Sequence, residues 1–348
     1  MSDIIKTGPT SLADFESLIS DKDVSRKVFV HTIRDYMPFF DQAALIPGND
    51  GNGDKGEIVT TYPEGETHGY NQGWKAETPQ GTAGGYTGER RSDSNNIDYD
   101  QYMDQPAKDR DNWRFRRDQA FARGFARAMV RDVLYGDPTK DPTKMRGFFN
   151  IVTPDNPAFK DRIINAKGTT ANKQTEIVLI GWDTAFNYLF KPQHNEESTG
   201  GFQVTTHDEP IRATKIGPDG IKREYWQLIT DFRWDLGLAI YDPLTVVRIA
   251  NIDTTKLSQY NNKSGSPDLI YYMTQAVGML PDQYKGRCAF YMNETISTIL
   301  RHQINNKANM QLTLDTIAGR KVIAWDGIPV HKLGSDVLTN TNAVLSLS

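Results

Sequence analysis

The stretch from Pro106 to Tyr135 constrains this chain more than any other. Pro106 sits at its first turn, Gly136-Asp137-Pro138 stops it, and between them only Gly124 interrupts good helix-forming sequence. Phe121, Phe125, Met129 and Val133 recur every fourth residue and so share one helical face. Arg123, Arg127 and Arg131 form a second row at the same spacing. A single helix over 107–135 would run roughly 40 Å, against an average globular helix of about 11–12 residues. The pattern predicts a long amphipathic helix packed on a sheet, a spine with extensions at its ends. Asp109, Asp111, Asp118 and Asp132 are interleaved with the arginines, which favours ion pairs with acidic surfaces over phosphate contacts.

The preceding segment, 46–105, has a different character. It is rich in Gly, Asp, Asn, Thr and Tyr, and eleven acidic residues outnumber Lys55, Lys75, Arg90 and Arg91. Strand-like pieces at 56–62 and 85–90 are joined by small polar turns. Some 60 residues with so little apolar material cannot bury a core alone. The segment is either a loosely held surface loop or a long two-stranded excursion stabilised by something outside itself. The second is favoured because isolated two-stranded ribbons are marginal in water. Tyr70, Trp74 and Tyr86 would then be its anchors. Arg90 and Arg91, with Arg117, Arg123, Arg127 and Arg131 of the helix, complete the candidate interface.

After the helix, 175–182, 184–190, 200–206, 211–216, 222–230 and 246–252 read as strands of one antiparallel block over 175–252. Gly217-Pro-Asp-Gly220 supplies a turn. The last third is α/β. Helices are predicted at 268–280, entered through Ser266-Pro267, and at 294–304, capped by Asn293. Strands are predicted at 288–292, 312–314, 322–325 and 328–331.

At 348 residues, with 38% hydrophobic and 24% charged side chains, the chain can bury a substantial core. Its net charge of -4 argues against a protein whose main task is gripping nucleic acid, though not against one that encloses it. The single cysteine, Cys288, excludes an intrachain disulfide and a cysteine-based zinc site, and fits folding in a reducing cytoplasm. Neither a signal peptide nor a run of about 18 apolar residues is apparent, so no membrane association is expected. Gly51-Asn-Gly53-Asp-Lys-Gly56 matches a dinucleotide fingerprint literally but neither follows a strand nor opens a helix. Asp50, Asn52 and Asp54 imitate a calcium loop that lacks its sixth-position glycine and twelfth-position glutamate. His31 reads as a packed imidazole, and the other histidines lack ligand spacing. No catalytic residue, metal ligand or cofactor site is predicted. A hydrolase built on scattered carboxylates is the weakest alternative.

The order of these parts resembles that of tailed-phage major capsid proteins with the Hong Kong 97-type fold. The matching pieces are an N-terminal arm, a long polar excursion, a spine helix, Leu134-Tyr-Gly-Asp-Pro138 and Gly147-Phe-Phe-Asn150. Residues 231–240, 248–253 and 290–295, Gly327-Ile-Pro-Val330 and Leu345 are similar to the subfamily from short-tailed double-stranded DNA phages. The resemblance implies an α+β capsid fold with an N-arm (1–45), a β-hairpin E-loop (46–105), a P-domain (106–255) and an α/β A-domain (256–348). Because the block at 175–252 precedes the A-domain, a permuted connection is expected. The resemblance further implies hexamers and pentamers of an icosahedral shell around DNA, without sequence-specific binding. Scaffolding, portal and cement proteins would be partners, with assembly in the host cytoplasm and residence in the virion. A tail or decoration protein is the alternative.

Overall fold

The computed structural model describes residues 30, 31, 33, 37, 39–61, 63–78, 80–192, 201–216, 218–258, 266–305, 312–317 and 320–347. Two mixed sheets and one ribbon carry the strands. The ribbon pairs β2 (Gly53–Thr61) with β3 (Gln80–Thr87), antiparallel. The first sheet is built on a 19-residue strand, β10 (Lys222–Ile240). One edge of β10 is lined in succession by β9 (Ile211–Ile216), β8 (Phe202–Thr206) and β7 (Asn187–Lys191). Its other edge pairs with β4 (Glu89–Asp98), and β1 (Leu45–Pro47) adds to β7. The second sheet has the order β13-β14-β15-β12-β6-β11-β5. Its strands are β5 (Ile163–Asn165), β6 (Gln174–Gly181), β11 (Val246–Asp253), β12 (Cys288–Asn293), β13 (Leu312–Ile317), β14 (Arg320–Trp325) and β15 (Ile328–Leu333).

Helices α1 (Phe39–Gln42), α2 (Tyr99–Met103), α3 (Arg110–Tyr135) and α4 (Phe148–Ile151) lie before the second sheet in the chain; α5 (Leu269–Gly278) and α6 (Glu294–Asn305) lie within its sequence. The long helix α3 starts three residues later than its pattern suggested, because 107–109 form a turn. The predicted apolar row does face the core: Phe125, Met129 and Val133 are buried, and Phe121 stacks on Phe232 of β10 at 5.5 Å. The helix end is clamped by the following motif. Asn150 Nδ2 donates to Gly136 O at 2.6 Å, and a Cβ on Gly147 would meet Gly136 N at 2.5 Å, so only glycine fits.

The second sheet is covered on both faces, which explains why β6 and β11 read as continuous apolar runs. Val178 and Ile180 face the core shared with α3 and the first sheet, whereas Ile177 and Leu179 face α5 and α6. Asn293 caps α6 as predicted, accepting from Thr295 N at 2.8 Å. Asp268, not Ser266, caps α5.

Three expectations are corrected. The single block over 175–252 does not exist: β6 and β11 belong to the second sheet, and β7–β10 to the first. The permuted connection drawn from that block loses its basis, because the chain crosses from one sheet to the other and back. His31 is exposed and does not lie in the core.

Candidate assembly interface

The ribbon's base is fixed by a buried polar cluster. Asp54 of β2 is 2% exposed. Its Oδ2 accepts from Tyr188 Oη at 2.8 Å and Tyr241 Oη at 2.7 Å, and its Oδ1 from Asn49 N at 3.2 Å. From β3, Tyr86 Oη donates to Ile240 O at 2.6 Å, and its ring meets Tyr241 edge-on at 5.3 Å. Burial, reinforced by Asp54, holds the Tyr188 and Tyr241 phenols well above their ordinary range, and burial pushes Tyr86 up to about 12. All three therefore remain donors. Gly56 is required here, because an added Cβ would lie 2.5 Å from the Tyr241 ring. Two grooves of about 580 and 590 Å³ flank the ribbon.

Beyond this root the ribbon carries little apolar cover. At its tip Tyr70 is 102% and Trp74 71% exposed. Tyr86 is the opposite case: it is 5% exposed and anchors the ribbon to its own chain, so the reading of Tyr86 as an intermolecular anchor is corrected.

The charges between the acidic segment and α3 also run the other way from expectation. The segment supplies the cation and the helix the carboxylates. Arg91 of β4 donates to Asp132 and to Glu89 Oε1 (2.8 Å), and Lys144 Nζ lies 2.8 Å from Asp132 Oδ1. Asn95 Nδ2 donates to Asp118 Oδ1 at 2.6 Å. Burial raises both the Glu89 and the Asp118 carboxyls above their ordinary values, and for Glu89 the neighbouring Asp132 adds to it. Arg91 thus acts within the chain, while Arg90 stays half-exposed, 4.0 Å from Asp235.

The helix arginines divide. Arg117 lies 4.5 Å over the Trp113 ring. Arg127 pairs with Asp336 of the C-terminal tail. Arg123 and Arg131 are exposed on the face away from the core. Gly124 has open space beside it, since an added Cβ would meet no atom within 4 Å.

Sequence reading missed the Asp54–tyrosine cluster, because its members come from positions 54, 86, 188 and 241 and only the fold assembles them. It also missed the pair Arg248–Glu176, 5% and 4% exposed. There Nε–Oε2 is 2.5 Å and Nη2–Oε1 is 2.8 Å, while Nη1 caps Phe149 O and Val152 O. A charged residue amid the apolar runs of β6 and β11 was the available signal. Cys288 is buried as expected, its thiol pushed up to about 11. Among the described residues no group of His, Cys, Asp and Glu could hold a metal, and no helix is long and apolar enough to cross a membrane.

Residues 21–346 match the family model described as major capsid protein GP7. Among solved structures, a chain of bacteriophage Epsilon15 is similar at 23% identity and a TM-score of 0.62, over 87% of this chain and 88% of its own. A chain of the bacteriophage JBD30 capsid is similar at 8% identity and a TM-score of 0.46, over 86% and 90%. No curated protein matches.

Proposed function

The chain belongs to the major capsid protein GP7 family, and from that premise we propose that its copies join as hexamers and pentamers into an icosahedral shell around double-stranded DNA. It is a structural shell protein of a tailed phage, and its fold is the Hong Kong 97-type α+β capsid fold. The observation that carries the finer reading is the ribbon: rigidly rooted through Asp54, yet bearing exposed Tyr70 and Trp74 at a tip its own chain does not cover.

On this reading the ribbon is the E-loop and crosses to a neighbouring copy. Tyr70, Trp74, Arg90, Arg117, Arg123, Arg127 and Arg131 lie at contacts between subunits. The N-arm is 1–45, the E-loop lies within 46–105, the P-domain is 106–255 and the A-domain is 256–348. A net charge of -4 lets packaged DNA slide instead of being trapped by phosphate contacts. Scaffolding, portal and cement proteins are the partners such a shell requires. Synthesis and assembly take place in the host cytoplasm, the mature protein resides in the virion, and the chain catalyses nothing.

Class averages of the purified protein by electron microscopy test this. Closed shells with five- and six-fold capsomers are expected. Tubes, surface spikes or a persistent monomer would defeat it, the first two in favour of a tail or decoration protein.

A further inference from the structure

A second projection leaves the fold at the opposite end of β10 from the ribbon. It is the hairpin of β9 with the first residues of β10. Its register sets Ile216 opposite Lys222, Thr214 opposite Glu224, and Arg212 opposite Trp226. Directly paired residues share a face, so Ile216 and Trp226 lie on one side together with Arg212 and Lys222. Ile216 is 63% and Trp226 54% exposed, and Ile221 at the turn 59%.

The ribbon tip and this hairpin have matching features. Together they hold Tyr70, Trp74, Ile211, Ile216, Ile221 and Trp226, six of the nine strongly exposed large apolar side chains among the described residues. Their charges are opposite. Residues 63–78 carry Glu64, Glu66 and Glu77 against Lys75, a net of -2 (one minus three). Residues 211–227 carry Arg212, Lys215, Lys222 and Arg223 against Asp219 and Glu224, a net of +2 (four minus two). Arg212 and Arg223 are paired within the hairpin, whereas Lys215 and Lys222 make no ion pair among the described residues. Each projection is two-stranded and marginal by itself. The root of the ribbon packs at Ile240–Tyr241, and the hairpin turn lies beyond Lys222, roughly 60 Å along β10. Within one chain both sets of side chains stay exposed.

We infer that the ribbon tip of one copy docks on the β9–β10 hairpin of a second copy. Tyr70 and Trp74 cover the Ile216–Trp226 face, and the tip glutamates meet the hairpin lysines. This rests on the self-assembly proposed above and names the receiving surface as the hairpin instead of the arginine row of α3.

Two full-length variants, Trp74→Cys and Trp226→Cys, mixed, assembled and mildly oxidised, test it; Cys288 is buried and stays silent. The Trp74→Cys chain is expected to cross-link chiefly to the Trp226→Cys chain and not to a chain carrying Arg123→Cys. Particles that form without the Trp74–Trp226 cross-link, or with the Arg123 one in its place, overturn the hairpin assignment and leave shell assembly standing. Failure of the unsubstituted chain to form particles defeats both. A charge reversal gives an independent reading. Lys215→Glu/Lys222→Glu and Glu64→Lys/Glu66→Lys/Glu77→Lys should each lose assembly while keeping the unsubstituted chain's circular dichroism, and mixing the two should restore it. Assembly undiminished in the singly reversed chains would also overturn the assignment.

Discussion

Strands β3 and β4 are consecutive, come from the same acidic, glycine-rich segment, and look equally unable to find a core, yet they end differently. β3, Gln80–Thr87, pairs only with β2 and projects. β4, Glu89–Asp98, pairs with β10 over ten residues and lies under α3, with Glu89, Asn95 and Ile97 buried. The difference is not hydrophobicity. β4 has side chains that meet named partners on the helix, Arg91 with Asp132 and Asn95 with Asp118. β3 is mostly glycine and small residues, and apart from Tyr86 it has nothing with which to grip. A polar strand can therefore join a fold when every buried polar group is answered, and a strand without side chains cannot.

Removing the answer on β4 should have the largest effect. Asp132→Ala strands Lys144, leaves Arg91 only Glu89, and should cost about 3 kcal/mol, the low end for breaking a buried pair, because both cations are a quarter to a third exposed. Urea denaturation reads this, and a loss under about 1 kcal/mol would mean the pairing adds little. At the ribbon root, Tyr241→Phe removes one of two hydroxyls from Asp54 and should cost about 1.5 kcal/mol. It should also loosen the ribbon, visible as faster amide exchange over 53–61 and 80–87 with β4 unchanged. Equal loosening of β4 would contradict the separation of the two strands.

A smaller, pH-dependent effect sharpens the comparison. The folded chain holds the Glu89 proton to higher pH than the unfolded chain does. Its contribution to stability is therefore fully present below the unfolded value and lost as pH rises through the folded one. Glu89→Gln should gain on the unsubstituted protein as pH rises above the ordinary carboxyl range, measured as the difference in urea midpoint. A difference that is flat with pH would remove Glu89 from the account. The smallest effect on stability is expected from replacing 63–78 by a short turn. That should change unfolding by no more than about 0.5 kcal/mol and still abolish shells seen by electron microscopy. Deleting 50–100 is a different experiment, because it takes β4 with it and should unfold the first sheet.

Much of the secondary structure was legible because it is local. The four-residue row in α3, the apolar runs of β6 and β11 and the Asn293 cap depend on neighbours in the chain, and the structure agrees with each. The Hong Kong 97-type fold was legible from the order of the parts. The assignment of strands to sheets was not, because a buried strand such as β6 carries the same apolar signal whichever sheet it joins. Nor was the direction of the charges between α3 and the acidic segment: Arg91 and Asp132 are 41 residues apart, and composition says which signs are present, not which side chains turn inward. The sequence by itself determined the long helix, the existence of a polar excursion and the absence of a core within it. Only the tertiary structure decided where that excursion stops, because Tyr188 and Tyr241, brought from distant strands, fix Asp54 and Tyr86 at the root, while partners on α3 draw β4 back into the fold.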